Sequence, residues 1–223
     1  MRIHLAAALF LAWQAAALPA AAQQDAWWTQ RLTFGSGPAM VENLWCKGRR
    51  MRAESVFDGN TIVTLVDEER YVIIDVLRRE GVSIARSPVS IGQDATRARP
   101  FAYEATSLLK TAEKIGSEVR AGRDVDHYRI TGNDGDRSEV WVTQDDLHLP
   151  MEELYRARDT GAKNQRIYLR WVQAAFPDSL FQPESGVKLE KITYDQYVER
   201  TRKGEAVGPA PPLYADLLHG RRE

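Results

Sequence analysis

Histidine and cysteine are the side chains best suited to metal, general-base or nucleophilic work, and here they are few and scattered. Past the first residues the chain holds His127, His148, His219 and a single cysteine, Cys46. No two of these histidines have the His-Glu-x-x-His spacing that puts a pair of imidazoles on one helix face for zinc. No Gly-x-Ser-x-Gly elbow and no phosphate-cradling Gly loop occurs. Asp124, Asp126, Asp134 and Asp136 crowd together, but their spacing breaks the calcium-loop pattern and no Glu stands at its last position. Asp134 and Asp136 flank Gly135, and a hairpin turn there accounts for both. Cys46, in Trp45-Cys46-Lys47, reads as a small buried strand residue, with pairing to another chain as the alternative. The expectation is a non-enzymatic protein, with no metal and no cofactor, that binds rather than reacts.

Binding then falls to apolar and aromatic side chains on strand faces. Met51, Phe57, Val63, Leu65, Ile73, Tyr155, Leu169 and Trp171 are the candidate ligand wall. Plain core is the competing reading for each, because strand alternation looks the same around an open cavity and a filled one.

The elements that must position these residues are mostly strands. From Arg50 to Phe57, the side carrying Met51, Ala53, Ser55 and Phe57 alternates with Arg50, Arg52 and Glu54. Asp58-Gly59-Asn60 turns this strand into the β-branched run Thr61–Val66, and Asp67-Glu68-Glu69 turns that into Arg70–Val76. Ala26–Phe34 and residues 38–47 come before, with Gly48 at the bend. Residues 86–100, with Pro88, Gly92 and Pro100, read as a loop. Leu108, Leu109, Ala112 and Ile115 share one helical face, which predicts a helix over 102–115 capped by Gly116. Val125–Thr131 and Glu139–Thr143 flank the turn Gly132-Asn133-Asp134-Gly135. Met151–Arg158 and Arg166–Val172 pair across Asp159-Thr160-Gly161, with Ile167, Leu169 and Trp171 on one face and Arg166 and Arg170 on the other. Thr193-Tyr194-Asp195-Gln196 is a capping box, and Gly204 ends the short helix it opens. Pro209-Ala210-Pro211-Pro212 then leads into an amphipathic tail, Leu213–His219.

The N-terminus bears on location. Arg2 precedes an apolar run from Leu5 to Leu18, then Pro19 and Ala20-Ala21-Ala22. This is the pattern of a cleavable signal peptide over 1–22, cut after Ala22, and it predicts a soluble periplasmic protein. The 30 Lys and Arg against 31 Asp and Glu leave no basic footprint for nucleic acid. One α+β domain is expected over 23–204, an antiparallel sheet with few helices to cover it, followed by a Pro-rich linker and tail over 205–223.

Several stretches carry a resemblance when taken in order. They are Leu44-Trp45-Cys46-Lys47-Gly48-Arg49-Arg50-Met51 with Asp58-Gly59, the run from Gly116 to Ile130, Val140-Trp141-Val142, Leu149-Pro150 and Ser179-Leu180-Phe181-Gln182-Pro183. Together they resemble the periplasmic LolA-like proteins, which include lipoprotein carriers and envelope stress sensors. The resemblance implies a strongly curved antiparallel half-barrel with a few helices on its open side. It also implies a lipid, acyl chain or lipidated polypeptide as ligand, as in outer-membrane lipoprotein sorting. The carriers begin with an amphipathic helix, whereas here Asp25-Ala26-Trp27-Trp28 leads almost directly into strand. No carrier-specific residue matches a position in this chain. The alternative is an envelope interaction or sensor module with a filled core, which binds a protein partner through its surface or tail.

Overall fold

The computed structural model describes residues 26–35, 37, 39–97, 100–101, 103, 109, 111–132 and 135–221. The expected signal segment lies outside them. The strands are β1 (Ala26–Phe34), β2 (Met40–Lys47), β3 (Arg50–Phe57), β4 (Asn60–Val66), β5 (Arg70–Asp75), β6 (Glu80–Ala85), β7 (Glu113–Arg120), β8 (Arg123–Thr131), β9 (Arg137–Thr143), β10 (Pro150–Arg156), β11 (Lys163–Gln173) and β12 (Lys188–Ile192). Among the described residues the α-helices are α1 (Pro88–Gln93), α2 (Tyr194–Arg202) and α3 (Ala215–His219). All the strands join one curved, unclosed 12-stranded sheet, in the order β12-β6-β5-β4-β3-β2-β1-β11-β10-β9-β8-β7. Every pair is antiparallel except β12 with β6.

Turn chemistry sets the meander. Asp58 and Gly59 take φ of 48° and 76°, the doubly left-handed turn that suits a two-residue hairpin loop. Thr193 and Gln196 exchange both bonds of the capping box and start α2 as the sequence predicts. Two expectations fail. Residues 86–100 are not all loop: Ser87 caps α1 by accepting from the Ser90 amide, with Pro88 in the first turn. The helix predicted over 102–115 is contradicted at its end, where residues 113–115 belong to β7. Residues 102, 104–108 and 110 of that prediction lie outside the described residues. Pairing with β8 overrides the helical spacing, and Gly116 sits beside a register shift in β7 instead of capping a helix.

The sheet has two apolar faces where β4 and β5 run. Ile62, Val66, Tyr71 and Ile73 join the main core on the inner face. Val63, Leu65, Val72 and Ile74 form a separate cluster on the outer face, against Val187 and Leu189. The segment from Asp178 to β12 is anchored there. Arg52 donates to the Leu180 carbonyl at 3.3 Å, and the Arg50 guanidinium lies 5.4 Å from the Phe181 ring. A strand covered on both sides reads as a continuous apolar run, which is why Ile62–Val66 shows no alternation.

The inner face is covered by the chain itself. Phe101, Tyr103, Tyr197, Val207, Ala210, Tyr214, Leu217 and Leu218 all pack into the main core. Leu217 and Leu218 are sealed from solvent, at 1% and 0% exposure. Each contributes roughly 1.5–3 kcal/mol by burial.

Candidate functional site

The inner face is built from the inward side of the central strands. Trp27, Thr29 and Arg31 on β1 face the same way as Glu42, Leu44 and Cys46 on β2, and all six are buried. Tyr168 and Trp171 join them from β11 across a register shift. Arg31 pairs with Tyr168 and Gln30 with Arg170, so Leu169 is left over as a bulge. An extra residue swaps the faces along the strand, and this corrects the predicted alternation. Trp171 points inward and is 8% exposed, while Leu169 is 49% exposed. Arg170 lies on the outer side, its guanidinium 4.2 Å from the Trp28 ring.

Aromatic rings pave the centre. Tyr168 stacks on Trp171 with centroids 5.4 Å apart, and Tyr103 meets Trp171 edge-on at 4.4 Å. Trp27 closes the cluster at 6.5 Å from Trp171. The Trp171 indole N–H donates to the Pro150 carbonyl at 2.8 Å. Among the described residues the buried Tyr103 hydroxyl has no hydrogen-bond partner. Burial pushes that phenol well above its ordinary range, so it stays protonated.

A polar network crosses this apolar floor. Arg31 donates to both Glu42 oxygens, at 2.7 and 3.2 Å. Thr33 and Tyr214 donate to the same carboxylate, each at 2.7 Å. The Arg31 guanidinium also lies 5.5 Å from the Tyr214 ring and 6.0 Å from that of Tyr168. Tyr168 donates onward to Glu153 at 2.8 Å, and Arg166 bridges Glu153 at 3.0 Å. The network is closed and satisfied around Glu42, which makes it a positioning device for Tyr214 and β1.

The expected ligand wall divides. Met51, Ile73 and Trp171 come together on the inner face, and Phe57 packs at its margin. Phe57 also lines a recess of about 300 Å³ with Tyr197, Thr201 and the stretch from Glu205 to Pro212. Val63 and Leu65 belong to the outer cluster, behind the sheet. Tyr155 is 41% exposed and donates to Asp136 on the surface, and Leu169 is the bulge residue. The eight residues therefore do not form one wall. Arg31, Glu42, Tyr168 and Tyr214 are the site residues that sequence reasoning misses. Arg31 does share strand parity with Trp27, but a charge at that parity reads as solvated until its partner across the ladder is known.

The histidines stand apart. His127 lies 3.1 Å from Glu139 and stacks on Trp141, His148 contacts the Thr143 carbonyl, and His219 pairs with the Tyr194 hydroxyl at 2.9 Å. Among the described residues no group of His, Cys, Asp and Glu is placed to hold a metal.

No protein-family model matches the chain, and no curated protein matches it in sequence. Solved structures do match in fold. An uncharacterized conserved protein from Thermus thermophilus aligns with a TM-score of 0.54 at 7% identity, over 75% of this chain and 90% of that one. MucB of Pseudomonas aeruginosa, in its complex with MucA, aligns at 0.48 and 14% identity over 75% of this chain and 58% of its own. A putative outer membrane lipoprotein-sorting protein domain from Vibrio parahaemolyticus aligns at 0.32 and 10% identity, over 70% and 89%. The fold is the expected curved, unclosed, mostly antiparallel sheet with few helices. At these identities the likeness is one of fold alone. Among the described residues no helix is long and apolar enough to cross a membrane.

Proposed function

We propose that this chain is an exported, non-enzymatic binding protein of the cell envelope that works in the periplasm. It takes a lipid, an acyl chain or a lipidated polypeptide against the inner face of its sheet. One observation carries this reading: the inner face is capped by a short amphipathic tail that joins no strand of the sheet. Such a cover exchanges for a ligand without breaking a ladder. Phe57, at the margin, and Met51, Ile73 and Trp171 beneath would meet the ligand. An acyl chain placed there gains about 0.8 kcal/mol per methylene.

The test is native mass spectrometry on protein purified from the periplasm, followed by organic extraction. A near-stoichiometric lipid or acylated peptide supports the reading. A clean protein that also ignores a fluorescent fatty acid rejects it. Phe57→Arg should leave the fold intact and weaken fatty-acid uptake about tenfold, the loss expected from roughly 1.4 kcal/mol of contact.

The second reading is an interaction or sensor module with a filled core. The complete burial of Leu217 and Leu218 favours it. In that case the tail-bearing protein retains no lipid and instead captures a protein partner.

A further inference from the structure

The domain reads the main chain of its own tail carbonyl by carbonyl. Arg97 donates to the Asp216 carbonyl at 2.8 Å. Arg86 Nε and Ser90 Oγ donate to that of Leu217, at 2.7 and 2.8 Å. The Ser87 amide donates to the Leu218 carbonyl at 3.0 Å, and Ser87 Oγ to that of His219 at 2.7 Å. These belong to the last turn of α3, where the Asp216 carbonyl also accepts from the Gly220 amide at 2.9 Å and a short helix leaves its last carbonyls without helical partners. Main-chain recognition with side-chain pockets at fixed offsets is how proteins hold peptides.

The pockets are defined. The Tyr214 amide donates to the Tyr71 hydroxyl at 3.1 Å, and the Tyr214 hydroxyl donates to Glu42 at 2.7 Å. Two places on, the Asp216 carboxylate accepts from Arg97 at 2.6 Å. Three and four places on, Leu217 and Leu218 enter the apolar floor. The stretch Pro209-Ala210-Pro211-Pro212 tethers this segment to the domain as a semi-rigid spacer.

We propose that residues 213–219 are the resident occupant of a peptide groove. The partner the groove fits is a polypeptide segment with a tyrosine, an acidic residue two places on, and leucines three and four places on. This rests on the inner face being the binding face, and it narrows the ligand to a polypeptide. Arg86 is wholly buried, and its Nε takes its acceptor from the tail. A polypeptide replaces that carbonyl and the Asp216 carboxylate. An acyl chain replaces neither and leaves a buried donor unmet.

The experiment places a protease site between Gly204 and Glu205, cleaves the folded full chain, and follows exchange of a fluorescent peptide of residues 205–221 by polarisation. The expected result is a nicked protein that keeps its fold and exchanges its tail. Unlabelled peptide competes, peptides with Tyr214→Ala or Asp216→Lys compete at least tenfold less well, and a fatty acid competes far more weakly than the peptide. In parallel, full-length Leu218→Asp, with its own tail unseated, should bind the labelled peptide about 100-fold more tightly than wild type, whose tether holds the resident at roughly millimolar effective concentration. A nicked protein that unfolds overturns the proposal, since the tail is then core. So does a folded Leu218→Asp chain that ignores the peptide, or a tail displaced by fatty acid alone. Peptide exchange by a protein that never yields lipid sinks only the acyl form of the function. Lipid recovered from a protein whose tail cannot be exchanged sinks only this groove.

Discussion

Glu42 shows how one residue can decide the character of an otherwise apolar face. Burial pushes its carboxyl up, but the Arg31 charge and the donors on Arg31, Tyr214 and Thr33 outweigh that and hold it below its ordinary 4.5. A folded value below the unfolded one means stability that is fully present above the ordinary value and fades as pH falls through the folded one. Glu42→Gln breaks a buried pair and should cost about 3–5 kcal/mol at neutral pH, measured by denaturant unfolding. The gap to wild type should shrink on acidification. An unchanged gap at acid pH would mean that the charge of Glu42 contributes nothing. Two tyrosines give opposite signs beside it. Tyr214→Phe loses a bond to a charged acceptor and should cost about 1.5–3 kcal/mol, whereas Tyr103→Phe removes a hydroxyl unpartnered among the described residues and should be neutral or stabilising. None of this is legible in the sequence, because an alternating strand shows which residues share a side but not which charge lies across the ladder.

Along single elements, legibility follows the turns. The strands β1 to β3 and the hairpins β8–β9 and β10–β11 are readable because turn residues at the bends and one wet face give a period, whereas β4 and β5 are readable as β-branched apolar runs bounded by turn residues. Neither β12 nor β7 reads as a strand. The sequence of β12 is short and mostly charged, and β7 lies at the sheet edge with exposed side chains. The bulge at Leu169 defeats the period from within, since one extra residue moves every later side chain to the other face. Trp171→Ala should therefore cost about 3–5 kcal/mol and Leu169→Ala less than about 0.5 kcal/mol, compared by thermal unfolding. Equal costs would place both on one face. Gly81 marks a second constraint, because a Cβ there would collide with the Ile73 carbonyl oxygen on the neighbouring strand. Gly81→Ala should lower the melting temperature by several degrees, on the order of 1–3 kcal/mol.

For the molecule as a whole, the half-barrel was legible through its resemblance, but the seating of the tail was not, because an amphipathic run does not state what it covers. Cys46 reports on that seating, since it is buried on the inner face. In the native chain it should react with a thiol reagent only as fast as the domain opens. Full-length Leu218→Asp loses the burial of that leucine and should react at least tenfold faster under conditions where the domain itself stays folded, and equal rates would mean the tail does not guard the floor. The strand order has a consequence of another kind. The first strand lies in the middle of the sheet, and its second neighbour, β11, arrives more than a hundred residues later. A chain delivered N-terminus first can zip β1 through β6 from local hairpins as they emerge. One long edge of β1 then stays open until the far half of the sheet closes the seam. Assembly is thus split into a fast local stage and a late, long-range one. During that wait Trp27 and Trp28 sit on an unpaired edge that invites another chain, so this stage is where a holding chaperone would matter most.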